Sequence, residues 1–370
     1  MRIAWTNHLV ALVGRTEAAA ARVAGVPPER RAGAARAARL QGARLSARLD
    51  ASPLDEATAE RIDAREAAGL PVIEGLRERP REPATGGGWA RALRLEGMAT
   101  QEMAAVEYAN LLACADAEPE VAGWFFERPL EGLARLHSEI CRGLVDAEVL
   151  GRPRRTDQAV HDGAQGRVIY HPADPERIPG LLDELHVWLT RRSTGLPAAV
   201  VAGAVQERLL EWQPFEVGNG RLARAASRIV LRARGLDPDA VAVPERFLAV
   251  DPAGYFAEVA ATQHRGGDLA VWLERYLEAL AAALEAVAND LDPRVLPEVP
   301  ARAAAVLATL GGTEVVTVRE YAERAGVTLA TAAGDLRALS VAGELLLVPR
   351  TRGLRFRRPG DRASTAPERS

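Results

Sequence analysis

The sequence predicts an all-α core with a small β-hairpin flap, followed by a C-terminal winged helix-turn-helix. Three observations predict it. Apolar residues recur at helical spacing over most of the 370-residue chain, in an alanine-rich background that favours helix. One short strand-like run, Gly166–His171, interrupts the helices and is closed by Pro172. The C-terminal part reads as three short helices and then two short strands around an arginine-rich turn.

Hydrophobic residues make up 48% of the chain, enough for a sizeable core, and the length suits roughly two or three domains at about 150 residues each. The formal charge is −3, so no global field drives binding to nucleic acid or membrane. Lys+Arg is 47 and the chain contains no lysine, so every one of these cations is an arginine. That excludes Schiff-base, P-loop and kinase-type lysine chemistry. Phosphate chemistry must then run on guanidinium groups, backbone amides or helix dipoles. Cys114 and Cys141 are too few for a metal quartet or a disulfide framework and read as buried thiols. The stretch Trp5-Thr6-Asn7-His8 makes the N-terminus too polar for a signal peptide, and no run is long and apolar enough to span a membrane. A cytoplasmic location is expected.

In order along the chain, residues 1–88 form a helical N-terminal extension rich in Ala and Arg, ending in a loop of two prolines and a glycine triplet over 78–88. From Trp89 to about Leu150 the pattern is helical, with Leu93, Met98, Met103, Val106, Leu111 and Leu112 on it. Gly151–Arg155 breaks the chain, and Gly166–His171 supplies the strand. Helices follow over Ile178–Thr190, from Pro197 to about Trp212, from about Asn219 to Arg234, and over Ala253–Gln263 and Asp268–Ala288. A core domain over 89–292 is expected. Pro293, Pro297 and Pro300 space a linker. A winged-helix domain over 300–358 comprises helices Ala301–Leu310, Val318–Ala325 and Thr328–Ala342 and strands Glu344–Val348 and Leu354–Arg357. The tail 359–370 is polar and expected to be disordered.

The chemistry concentrates in Gln213-Pro214-Phe215-Glu216-Val217-Gly218-Asn219-Gly220-Arg221-Leu222-Ala223-Arg224. Pro214 disfavours continuation of the preceding helix, and Gly218 and Gly220 permit a tight turn into the next. Backbone N–H groups at that helix start favour an anion, and Arg221 and Arg224, three apart, share a face. The stretch reads equally as an anion cradle with two guanidinium arms, or as a turn joining two core helices with arginines on the surface.

The same segment resembles the Fic family signature, His-Pro-Phe-x-Asp/Glu-Gly-Asn-Gly-Arg-x-x-Arg. Pro214, Phe215, Gly218, Asn219, Gly220, Arg221 and Arg224 match it. Gly166–His171 resembles the family's flap, with Val168, Ile169 and Tyr170 at its centre. Gly267–Leu273 resembles a helix start after the family's core. Ala92-Leu93-Arg94-Leu95-Glu96-Gly97 resembles its inhibitory motif, and a C-terminal winged helix is a common companion. The resemblance implies AMP transfer from ATP to a protein hydroxyl, with the His as general base and the acidic residue on Mg²⁺. It also implies phosphates bound by Gly218, Asn219, Gly220, Arg221 and Arg224, with Glu96 pairing with Arg224 to restrict the site.

Two positions depart from the pattern. Gln213 stands where the base should be, and a carboxamide does not take a proton near neutral pH. Losing a general base costs about 10²–10⁴-fold. Val217 stands where the metal carboxylate should be and offers no side-chain oxygen, so Mg²⁺ is doubtful and no metal site is assigned. Glu216 is one residue early for that role, and His137, His161, His171 and His186 read as packed or surface residues. The expected function is therefore binding of ATP or a related nucleotide, with AMP transfer lost or very slow. Two alternatives stand beside it: a non-catalytic DNA-binding regulator, and a residual or novel transferase.

For DNA, helix Thr328–Ala342 offers Arg337, Thr328 and Thr331, opposed by Asp335. The wing is more basic, with Arg350, Arg352, Arg355, Arg357 and Arg358. Its alternative use is contact with protein. Expected partners are a nucleotide, a protein target, DNA through the wing and a second copy of the chain, with no membrane.

Overall fold

The computed structural model describes residues 1–68, 70, 100–161, 167–292, 301–311, 314–341, 344–347 and 355–357. Outside them lie Glu96 with its surrounding motif, the loop at 78–88, Gly166, the linker at 293–300, Arg350, Arg352, Arg358 and the tail, together with the side chain of Arg337. The chain divides into two compact units, Met1–Ala288 and Asn289–Ser370.

In the first unit, α1 (Asn7–Ala24) is capped by Thr6, whose hydroxyl accepts from the Leu9 amide at 2.9 Å. Helix α2 (Pro28–Leu49) starts on proline and ends at Asp50, and α3 (Glu56–Ala67) is capped by the Asp55 carboxylate. The run read as helical from Trp89 contains α4 (Thr100–Trp124) and α5 (Pro129–Cys141). They are parted by a short turn where Phe125 packs on Gly132: a Cβ at Gly132 would lie 2.6 Å from that ring.

Strands β1 (Val160–His161) and β2 (Val168–Tyr170) form an antiparallel hairpin with an irregular register, pairing Val160 with Tyr170 and His161 with Val168. Helix α6 (Ile178–Val187) then ends in a π turn over Trp188–Arg192. The next helices are α7 (Ala198–Trp212), α8 (Asn219–Ala233), the single turn α9 (Glu245–Leu248), α10 (Pro252–His264) and α11 (Ala270–Asp290). The sequence ends each of these helices within a residue or two of the observed bounds, but gives no signal for α9.

Helices α7 and α8 are the central pair, and α8 also packs on α2, α4 and α5. Almost every residue of α7 is buried, as expected of a helix surrounded by others. Gly203 lets α11 approach, since a Cβ there would lie 2.6 Å from the Tyr276 ring, and the Trp272 indole N–H donates to the Gly203 carbonyl at 2.8 Å. The N-terminal helices share this core through Leu9, Leu12, Ala47, Leu49 and Ile62.

The second unit has α12 (Ala301–Thr309), β3 (Val315–Thr317), α13 (Val318–Ala325), α14 (Leu329–Val341), β4 (Leu346–Leu347) and β5 (Arg355–Arg357). The strands form an antiparallel sheet in the order β3-β5-β4. Strand β3 escapes the sequence reading because three residues are too few for an alternation pattern. A capping box of Thr317 and Glu320 starts α13, and Gly326, at φ 65°, ends it.

Asp335 departs from the sequence reading: it does not lie on an exposed helix face. It is buried, accepts from Arg302 Nε and Nη2 at 2.8 and 2.9 Å, and accepts from the Tyr321 hydroxyl at 3.0 Å.

Candidate functional site: a cradle holding its own carboxylate

The loop between α7 and α8 is held from several sides. Gln213 caps α7 in the left-handed region, at φ 47° and ψ 62°. Its amide nitrogen turns back to the Leu210 carbonyl at 2.9 Å and lies 3.4 Å from the Tyr170 hydroxyl. Tyr170, from the β2 strand of the flap, is buried and itself donates to the Leu210 carbonyl at 2.6 Å. Val168 and Ile169 are less covered, so Tyr170 is the flap residue that reaches the loop.

The side chain of Asn219 closes the turn reciprocally. Its oxygen accepts from the Phe215 amide at 2.9 Å, and its nitrogen donates to the Phe215 carbonyl at 2.7 Å. Gly218 sits at φ 77°, with Cys141 Sγ only 2.7 Å from where a Cβ would be. Both conditions require glycine.

Arg154, which reads in sequence only as part of a chain break, is 3% exposed and staples the loop. Its guanidinium donates to the carbonyls of Gln213 at 2.7 Å, Thr156 at 2.6 Å, Trp212 at 3.3 Å and Ala173. Its own backbone amide donates to the Pro214 carbonyl at 2.9 Å.

The two positions that depart from the signature are both engaged. The Val217 carbonyl accepts from His137 Nε2 at 3.2 Å. The other ring nitrogen, Nδ1, accepts from the Gly151 amide at 2.9 Å, which fixes the tautomer with its proton on Nε2. The ring stacks on Phe215 at 4.2 Å between centroids. Burial pushes the His137 pKa down to about 4, so the imidazole is neutral. The Glu216 carboxylate is taken by the Thr156 hydroxyl, at 2.9 and 3.1 Å to its two oxygens.

The arginines of the cradle are not on the surface. Arg221 is 5% exposed and Arg224 is 1% exposed, and both close on Asp50 at the C-terminal end of α2. Arg221 Nε donates to Asp50 Oδ2 at 3.0 Å, and Arg221 Nη1 pairs with the buried Glu107 of α4. Arg224 Nη2 lies 3.0 Å from Asp50 Oδ1 and donates to the Ser46 carbonyl at 2.8 Å, while Nε donates to the Ser46 hydroxyl at 2.8 Å. A Cβ on Gly220 would meet Asp50 Oδ1 at 2.5 Å, so the carboxylate lies directly against the first turn of α8.

Burial opposes the charge of Asp50, but the Arg224 and Arg221 guanidiniums outweigh it and hold the carboxyl below the usual range. Burial dominates at Glu107 and raises its pKa in spite of Arg221. The result is a buried cluster of two cations and two acids, with the Asp50 carboxylate held between the two arginines.

Sequence reasoning finds Arg221, Arg224, Asn219 and the glycines, and the structure brings them to one turn. It misses Asp50, Ser46, Glu107 and Arg154. Asp50 alone leaves a trace: a carboxylate at a helix C-terminus opposes the dipole and needs a compensating cation. Arg355, on β5, is exposed in the second unit. Among the described residues no group of three or more His, Cys, Asp or Glu could hold a metal ion, and no helix is long and apolar enough to cross a membrane.

A sequence profile of the Fic/DOC family matches residues 127–231, from the start of α5 through the cradle to the end of α8. No curated protein matches the chain. The fold is similar to the crystal structure of a Fic family protein from Desulfovibrio desulfuricans G20, with TM-score 0.59, 20% identity, and coverage of 97% of this chain and 98% of that one. It is also similar to a Fic domain containing signaling protein from Bacteroides thetaiotaomicron VPI-5482, with TM-score 0.51, 16% identity, and coverage of 77% and 95%. Residues 127–231 therefore carry a Fic/DOC-family domain.

Proposed function

We propose that this Fic-domain protein has lost AMP transfer and keeps its phosphate cradle as a nucleotide site closed by its own Asp50. The observation that carries the reading is the position of the Asp50 carboxylate, between Arg221 and Arg224 and against the first turn of α8. A carboxylate bound by two guanidiniums at a helix start makes the same kinds of contact that a phosphate would make. A nucleotide therefore competes with Asp50 rather than entering an open site. Breaking one side of a buried pair costs about 3–5 kcal/mol unless the incoming anion restores it.

The residues present do not fit Mg²⁺. Val217 has no side-chain oxygen, its carbonyl is engaged by His137, and the Glu216 carboxylate is held by Thr156. Gln213 has neither a titratable nitrogen nor a free amide, since its side chain is turned back on Leu210. No proton leaves a target hydroxyl by this route.

The test is incubation with labelled ATP and lysate. The wild-type chain should transfer no AMP. A chain carrying Gln213→His, Val217→Asp and Asp50→Asn together should label. Labelling by the wild type, through Glu216 or a flap histidine, would overturn the reading.

A specific observation favours a second reading for the C-terminal unit. Three helices and an antiparallel sheet ordered β3-β5-β4, with exposed Arg355 and Arg357 on β5, suit a winged helix-turn-helix. We infer that it contacts DNA phosphates through Arg355, aided by Arg337, Arg350 and Arg352. In a gel shift with the protein's own upstream DNA, binding should weaken steeply with salt and on Arg352→Ala/Arg355→Ala. Absent or salt-independent binding contradicts it.

A further inference from the structure

A cavity of about 250 Å³ lies between α2, α4, α8 and α9, and no residue of the Arg221–Arg224–Asp50 cluster lines it. Its lining combines an apolar floor, which includes Ala38, Gly42 and Leu111, with four arginines and four carboxylates. The lining is therefore charge-balanced and selects for a ligand that is neutral overall.

Among its lining residues Arg228 is saturated. Its Nε and Nη2 donate to Glu118 Oε1 at 2.9 and 2.7 Å, and its Nη1 donates to Glu245 Oε1 at 2.9 Å. Two buried atoms of the lining are not. Glu245 is 3% exposed, and its second oxygen, Oε2, has no hydrogen-bond partner. Arg232 spends Nη1 on the Pro238 carbonyl and leaves Nε buried without one. One atom demands a donor and the other an acceptor, at opposite charge.

We propose that this cavity binds a small zwitterion of the α-amino-acid class with an apolar side chain. The ammonium group meets Glu245 Oε2, the carboxylate meets Arg232 Nε, and the side chain rests on the apolar floor. A purely anionic or cationic ligand would satisfy one orphaned atom and leave the other buried and unpaired. The inference does not depend on how the nucleotide cradle is read, because none of these residues belongs to it.

The test is calorimetric titration of the full-length chain with L-leucine, N-acetyl-L-leucine and L-leucinamide. L-leucine should saturate at sub-millimolar to millimolar concentration, and each derivative, lacking one charge, should bind at least about tenfold more weakly. Glu245→Gln and Arg232→Met should each weaken L-leucine by about tenfold or more while circular dichroism stays helical. Should Glu245→Gln fail to fold, the comparison of the three ligands on the wild type still decides. No saturation by L-leucine up to ~10 mM, equal binding of the derivatives, or a soaked crystal with only ordered water between Glu245 and Arg232 would overturn the assignment.

Discussion

Asp50 Oδ1 lies 3.0 Å from Arg224 Nη2, which joins the end of α2 to the second arginine of the signature. This pair, with Arg221 on the other oxygen, makes both arginines of the signature part of the core. It makes several properties of the chain predictable.

Gly220→Ala should be destabilising although it lies in a helix, where alanine is favoured over glycine by about 1 kcal/mol. The added Cβ would stand 2.5 Å from Asp50 Oδ1. In an Asp50→Ala background, itself destabilised by the loss of the buried ion pairs, the same Gly220→Ala change should cost less. A double-mutant cycle by urea denaturation measures the coupling, and additive losses would show that the carboxylate does not rest on Gly220.

The buried pair of His137 and Val217 gives a pH dependence. With its pKa pushed down to about 4 from an ordinary 6.5, His137 stays neutral in the fold while the unfolded chain takes up a proton. Its contribution is therefore complete above pH ~6.5 and is lost as the pH falls towards 4, by about 3 kcal/mol. Denaturation of wild type and His137→Gln at pH 7 and pH 4.5 checks this. The wild type should lose its margin over the variant on acidification. Asp50 acts lower: with its pKa depressed, its stabilisation is present above the ordinary aspartate range and fades only below about pH 4.

Arg154→Met should loosen the signature loop more than any surface arginine change does. It removes the cation from four backbone carbonyls at residues 156, 173, 212 and 213, and hydrogen bonds to a charged group are worth about 1.5–3 kcal/mol each before compensation. A loss of about 3 kcal/mol or more is expected, with faster amide exchange at Phe215 and Asn219. Unchanged exchange there would assign the role of Arg154 elsewhere.

Much of the first unit is legible from local signals. Pro197 and Pro214 bracket α7, Gly218 opens α8, and the spacing of Arg221 and Arg224 puts both on one face. What occupies that face is not local. Asp50 and Glu107 reach the arginines across long stretches of chain, and nothing in Leu49-Asp50-Ala51-Ser52 marks the aspartate as a ligand of Arg224. The reading of the two arginines as solvent-exposed fails for the same reason: composition places arginine outside, and only a specific buried acid brings it in. Val217 illustrates the reverse. Its side chain shows in sequence what it cannot bind, but the use of its carbonyl by His137 appears only in three dimensions.

The most direct test is a titration of ATP into wild type and Asp50→Asn, followed by calorimetry with and without Mg²⁺. Asparagine keeps the shape and removes the competing charge from Arg221 and Arg224. The variant should bind ATP at least about tenfold more tightly than the wild type, Mg²⁺ should change neither affinity, and adding Arg224→Ala should abolish the gain. Equal affinity of the folded variant and the wild type would contradict the claim that Asp50 closes the cradle.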